Sequence, residues 1–312
     1  MNINTDPIDE VALAPLYLRL HVRYAVACAA RTMLTIVFCA LAFAGCGNRW
    51  ASFEKQSLNP GVTSNATPAQ VGLAFERIAI PSGPRLLDGF VVRASLTCGQ
   101  APAVLMFHGR GETVADWIGV QRLLYDNCIS SMVFDYSGHG HSTGPGTIAN
   151  LNDDALAAYR AFSVEFPAPT RRCLLSHSMG GAPMLYAATR VVPAPDCVVA
   201  GSPFSSLLDM AVLGGLPPPM RLFMTDMWDN VKTARQLKPP MLWVHSRADS
   251  TIPFDMGQRV YAVKPDPKTE VSVTGFDHNA IYQKMPPQIW DPVIAFVRGQ
   301  GPQATHAQDQ TQ

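Results

Sequence analysis

The chain carries little charge and no excess of either sign. Only 15% of its 312 residues are charged, against about 25% in an ordinary soluble domain. Its 24 basic side chains balance 24 acidic ones, so nothing in the charge favours nucleic acid as a partner. Cysteine is scarce. Seven residues are too few to frame a disulfide miniprotein, though enough for a staple or two. Gly and Pro are scattered rather than periodic, which excludes collagen-like and low-complexity chains. No internal repeat is visible. The apolar run Thr32–Gly45 (TMLTIVFCALAFAG) falls short of the roughly 20 residues a helix needs to cross a bilayer. What the chain does have is hydrophobic content, 47%. That supports a sizeable core, in one large α/β domain or two small ones.

The apolar run follows Arg19, Arg23 and Arg31 and is uncharged, as in the h-region of an export signal. It ends in Phe43-Ala44-Gly45-Cys46. This resembles the bacterial lipobox, in which a Cys after two small residues becomes the lipidated N-terminus; Phe43 stands where that pattern usually has Leu. The resemblance implies that residues 1–45 are a signal, that Cys46 is lipidated, and that the protein is exported and anchored to the bacterial cell envelope, on its periplasmic side or in the outer membrane. A retained signal anchor and a conventional cut near Ala44 are the alternatives. Residues 46–70 are polar and aperiodic and read as a tether. Residues 299–312 read as a disordered tail.

Between these ends, short apolar runs alternate with amphipathic ones. The pattern predicts strands at Glu76–Ile80, Leu87–Ala94, Ala103–Phe107, Ser130–Asp135, Arg172–Ser176, Cys197–Ala200, Met241–His245 and Glu270–Thr274. It predicts helices at Thr113–Asn127, Asn150–Phe166, Met179–Val191, Phe254–Val263 and Pro287–Val297, with Thr113 and Asp116 spaced as a capping box. Two neighbouring strands followed by strand–helix alternation describe an α/β domain, residues 71–298, with a mostly parallel sheet covered on both faces. In such sheets ligands bind beyond the carboxyl ends of the strands. The stretch 202–239, rich in Leu, Met and Pro, interrupts the alternation and reads as an inserted cap.

The chemistry concentrates at strand ends. Leu174–Gly181 reads LLSHSMGG, which places Ser178 in a sharp strand-to-helix turn like that of G-x-S-x-G, with Ser176 in place of the first glycine. His108-Gly109-Arg110-Gly111-Glu112 follows the third strand and Asp135-Tyr136-Ser137-Gly138-His139-Gly140-His141-Ser142 the fourth. Ser202-Pro203-Phe204, His245-Ser246-Arg247-Ala248-Asp249 and Gly275-Phe276-Asp277-His278 come later. In order and spacing these segments resemble an α/β-hydrolase, nearest to the serine-aminopeptidase-like and monoacylglycerol-lipase-like branch, over residues 75–298. The resemblance implies an eight-stranded, mostly parallel sheet with helices on both faces and a small cap. It also implies a triad of Ser178, Asp249 and His278, in the chain order this fold uses. A serine hydroxyl needs such a base to become nucleophilic, and a carboxylate on the far ring nitrogen fixes the tautomer of that base. Backbone N–H groups of Met179 and Arg110 are the expected oxyanion donors.

The expected reaction is hydrolysis of a carboxylic ester through an acyl-enzyme, without a cofactor. The expected partners are a small ester or acyl substrate and a membrane reached through the lipid anchor. A peptidase, an amidase or a thioesterase would use the same triad, and a non-catalytic envelope binding protein is the reading of another class. Asp277 is the rival to Asp249 as the acid. His177 is expected to pack rather than act as a base. His139 and His141 lack the companions of a metallohydrolase motif. His108 is expected to stabilise its turn, and Glu112 to sit at a helix N-terminus as a dipole partner rather than a substrate contact. Met220, Leu222, Phe223, Met224, Met227 and Trp228 form either an acyl-binding lid or ordinary cap packing. In the strand order implied by the resemblance, Cys98 pairs with Cys128 and Cys173 with Cys197, as an exported protein permits; four free thiols are the alternative.

Overall fold

The computed structural model describes Glu54, Leu58 and residues 63–217 and 228–300. The predicted signal segment 1–45, Cys46, most of the predicted tether, Met220, Leu222, Phe223, Met224, Met227 and the residues beyond 300 lie outside the described residues. The chain divides into two compact units, Met1–Gln56 and Ser57–Gln312, and the sheet with its helices belongs to the second.

Eight strands build one sheet among the described residues: β1 Glu76–Ser82, β2 Arg85–Val92, β3 Ala103–Phe107, β4 Ser130–Phe134, β5 Arg172–His177, β6 Cys197–Gly201, β7 Met241–Ser246 and β8 Lys268–Val273. Their order is β1-β2-β4-β3-β5-β6-β7-β8. Only the β1–β2 and β2–β4 pairs are antiparallel, and every other pair is parallel. This is the eight-stranded, mostly parallel sheet that the resemblance implied. The central strands β3, β4 and β6 are buried along their whole length, as strands covered on both faces must be.

The helices are α1 Ile118–Asp126, α2 Ile148–Glu165, α3 Gly181–Ala188, α4 Leu207–Leu213, α5 Asn230–Ala234, α6 Phe254–Val263, α7 Ala280–Gln283 and α8 Pro287–Val297. On one face, Val104 and Met106 of β3, Leu175 of β5 and Val199 of β6 join Val120 and Leu124 of α1 and Trp290 and Val293 of α8 in a single cluster. Side chains alternate along a strand, so Leu105, Leu174 and Val198, also buried, serve the opposite layer. There α3 packs against α2 and α5.

Five helices depart from expectation. The segment predicted as Thr113–Asn127 begins with a 3-10 turn, Val114–Trp117, before α1; the capping box forms, with the Thr113 N–H donating to Asp116 at 2.8 Å. The helix expected from Met179 starts at Gly181 after a 3-10 turn, Ser178–Gly180. It ends at Ala188 rather than Val191, where the Thr189 hydroxyl donates back to the Leu185 carbonyl at 3.2 Å, a contact that competes with helix continuation. The short helices α4, α5 and α7 were not predicted. Ser206 caps α4 and Asp229 caps α5, but neither helix is long enough to show an apolar period.

Cys98–Cys128 and Cys173–Cys197 are both disulfide-bonded, with Cα separations of 5.5 and 4.7 Å. Cys173 and Cys197 face each other directly across β5 and β6, within the cluster under α8. Closing loops of this size stabilises a fold by about 3 kcal/mol each. Alkylation of the unfolded protein without reductant is therefore expected to leave all four cysteines unmodified. The double variant Cys173→Ala/Cys197→Ala should lose about 3 kcal/mol in urea unfolding; complete alkylation, or unchanged stability, would contradict the bonding.

Candidate active site

The parallel strands bring the polar clusters to one edge of the sheet. At the end of β5, Ser178 has φ +52°, a left-handed conformation that costs a non-glycine residue energy and persists only where the surroundings enforce it. Here the end of β3 enforces it. A Cβ on Gly180 would stand 2.2 Å from the Phe107 carbonyl oxygen and 2.6 Å from that of His108, so this glycine lets the turn close against the neighbouring strand. Met179 lies in that turn. Arg110 lies in the facing one, where Glu112 N–H donates to the Gly109 carbonyl at 3.4 Å and Gly111 takes φ +74°. The two residues expected to supply anion-binding N–H groups thus occupy adjoining turns. Ser178 is 7% exposed.

Asp249 and His278 come from the ends of β7 and β8. His278 Nδ1 lies 2.7 Å from Asp249 Oδ2. The other carboxylate oxygen accepts the N–H groups of Thr251 at 2.9 Å and Ile252 at 2.8 Å. His245 Nε2 stands 3.3 Å from Oδ2 and was not singled out in the sequence. Burial raises the Asp249 carboxyl, but hydrogen bonds from His245 and His278 outweigh it and hold the group well below the usual range. Asp277 makes a different contact: its carboxylate accepts the His278 backbone N–H at 2.8 Å and the Ser250 hydroxyl at 2.8 Å. The ring of His278 is therefore oriented by Asp249 and its loop is tied by Asp277.

A model of the alpha/beta hydrolase family matches residues 104–305, more than half of the chain. The chain belongs to the alpha/beta hydrolase family. It is 28% identical over 182 residues to an uncharacterized protein of Mycobacterium tuberculosis, covering 58% of this chain and 64% of that one. It is 28% identical over 188 residues to alpha/beta hydrolase domain-containing protein 17C of Xenopus tropicalis, covering 59% of this chain and 58% of that one. The matches thus span less than two thirds of those relatives. Among solved structures, an esterase of Pyrococcus furiosus superposes with a TM-score of 0.64 at 20% identity, over 77% of this chain and 98% of that one.

Beneath the Ser178 turn, this alpha/beta hydrolase holds a buried pair that sequence reasoning missed. Glu112 is not a dipole partner at a helix end. Its carboxylate is buried and accepts from Gly109 N–H at 2.7 Å and the Trp117 indole N–H at 2.9 Å, and it lies 2.7 Å from His177 Nδ1. Partners 65 positions apart leave no local pattern to read. One signal was available: Gly109, where a Cβ would lie 2.4 Å from Glu112 Oε1. His108 stabilises its turn as expected, with Nδ1 2.9 Å from the Gly109 carbonyl. Burial lowers its imidazole to about 3 and raises Asp135, 3.5 Å away, to about 7. Among the described residues no group of three or more His, Cys, Asp or Glu is placed to hold a metal ion. Trp228, the one described residue of the predicted lid, donates its indole N–H to Asn152 at 3.0 Å and lies near Phe204.

Burial lowers the His278 imidazole, and the Asp249 hydrogen bond opposes this without reversing it. A proton titration of the His278 ring by NMR should therefore have its midpoint below the ordinary value of about 6.5. The ring would be neutral, and able to accept a proton, at neutral pH and somewhat below it. It would lose that capacity as pH falls through the lowered midpoint. A midpoint above 7 would contradict this.

Proposed function

We propose that the protein is a serine hydrolase that cleaves carboxylic esters. Ser178 Oγ attacks the acyl carbon while His278 Nε2 takes its proton. The carbonyl oxygen becomes an oxyanion held by the N–H groups of Met179 and Arg110. Collapse of that intermediate breaks the C–O bond, and His278 returns the proton to the leaving alcohol. Water then attacks the acyl-enzyme by the same route, releasing the acid and freeing Ser178. The reading is carried by one observation: an imidazole oriented by a carboxylate at 2.7 Å, on a loop whose neighbour is the strained turn of Ser178. His177, adjacent to that serine, has its ring centroid 4.6 Å from that of His278.

Fluorophosphonate labelling tests this. The wild-type protein should label, and Ser178→Ala should not. Ester turnover should fall at least about 10³-fold in that variant. Undiminished hydrolysis by Ser178→Ala would remove the proposal. Matched ester, anilide and thioester substrates with one acyl group distinguish the leaving groups, and faster turnover of the anilide would replace esterase with amidase.

The protein is further proposed to be exported and lipid-anchored at Cys46. The two disulfides support an oxidising compartment. Anchoring by two or more acyl chains is stable, since each buried CH₂ contributes about 0.8 kcal/mol. In a bacterial host the protein should incorporate labelled palmitate and sediment with membranes, and Cys46→Ser should abolish the label. Label retained by Cys46→Ser would refute lipidation at this residue.

A further inference from the structure

The residue before the proposed nucleophile makes two contacts that bear on its charge. The His177 side chain is fully buried. Its Nε2 lies 3.1 Å from the backbone carbonyl oxygen of His278 and its Nδ1 lies 2.7 Å from Glu112 Oε1. A carbonyl oxygen can only accept, so Nε2 bears a proton. Gly109 N–H and the Trp117 indole N–H both donate to Glu112 Oε2, which favours the ionised carboxylate, and beside an ionised Oε1 the His177 Nδ1 donates as well. An imidazole that donates from both nitrogens is an imidazolium. The direction of each shift agrees. Burial opposes the charge on His177, but the Glu112 carboxylate outweighs it and raises the imidazole above its ordinary value. Burial likewise pushes Glu112 up, and His177 with the Gly109 N–H hold it below the usual carboxylate range.

We infer that Glu112 and His177 are positioning residues, a buried ion pair that sets the place of His278 by a charge-assisted hydrogen bond to its main-chain carbonyl. The inference rests on the reading of His278 as the base for Ser178. It gives that base a third anchor: Asp249 holds the ring, Asp277 the backbone N–H and His177 the backbone carbonyl. The surroundings hold the two side chains in place. Trp117 stacks on Tyr282 at 5.7 Å, and Tyr282 packs edge-on against the His177 ring at 5.4 Å. A Cβ on Gly109 would stand 2.4 Å from Glu112 Oε1 and 3.0 Å from His177 Nδ1, so the turn carrying Arg110 is built around these two side chains. The charged and titratable groups facing His278 are Asp249 from the end of β7, His177 from β5, Glu112 behind His177, and Asp277 on its own loop. Of the pair, His177 acts on the His278 ring more strongly than Glu112 does, and disfavours a second cation there. The proton taken from serine is thereby readily passed to the leaving group.

Two measurements test the pair. In the wild-type protein, ¹⁵N NMR of the His177 ring at pH 7 should show both nitrogens protonated; a neutral ring would overturn the inference whether or not any variant folds. Among variants confirmed as folded by circular dichroism, Glu112→Gln keeps an acceptor for Gly109 and Trp117 but removes the charge. It should lower ester kcat about tenfold, leave KM within about twofold, and move the acid limb of the rate profile to higher pH. His177→Gln retains a donor for the His278 carbonyl and should recover most of the rate that His177→Leu loses, which is about 100-fold. Equal losses in the Gln and Leu variants with an unmoved acid limb would mean a packing role and overturn the inference. Ser178→Ala, measured alongside, separates the two ideas. If it stays active the esterase reading fails. If it is inactive while Glu112→Gln matches wild type, only the positioning role fails.

Discussion

Two carbonyl oxygens at the end of β3 govern the geometry of the site. Gly180 passes so close to Phe107 and His108 that the turn after Ser178 has one way to close. The left-handed backbone of Ser178 follows from that closure. A turn of this kind, free of the sheet, would relax. It is held because β3 and β5 pair in register from Ala103 and Arg172 to Phe107 and Ser176, with buried side chains on both faces. The apolar core thus maintains a local conformation that the residue itself disfavours.

The same end of the sheet collects the buried polar groups, and their protonation is set in two different ways. Asp249 and Glu112 are ionised carboxylates, each surrounded by donors from main chain and side chain. His108 and Asp135 lie at a comparable depth, but burial drives both toward their neutral forms. The partners separate them: His177 does most to hold Glu112 ionised and the hydrogen bonds of His245 and His278 do so for Asp249, while Asp135 is opposed only by main-chain donors. A fourth carboxyl group, that of Asp154, accepts from the Ser82 hydroxyl at 2.6 Å and the Ser137 N–H at 2.8 Å, and so ties the loop after β4 to β1 and α2.

Much of this was legible in the sequence because it is locally encoded. The apolar runs predicted Ala103–Phe107 at both ends, and the periodicity did the same for Phe254–Val263 and Pro287–Val297. The disulfide partners followed from the strand order that the resemblance implied, which sets the starts of β3 and β4, and of β5 and β6, side by side. The contact between Asp249 and the His278 ring was anticipated through resemblance, from residues at strand ends. The Glu112–His177 pair was not legible, because its members are distant in the chain and each had a more ordinary local reading. The short cap helices were missed for another reason: Leu207–Leu213 and Asn230–Ala234 span too few turns for amphipathic spacing to stand out against apolar surroundings.

Ser176 shows what the first small position of such a turn has to provide. It is a strand residue, opposite Phe107 and Ala200, and its hydroxyl reaches the Val199 carbonyl at 3.5 Å. The unusual dihedral belongs to Ser178, two residues on. Bulk, not torsional freedom, is therefore what is limited at position 176, and a hydroxymethyl group meets that limit. A pattern search that insists on glycine there would pass over this chain and others whose strands end the same way.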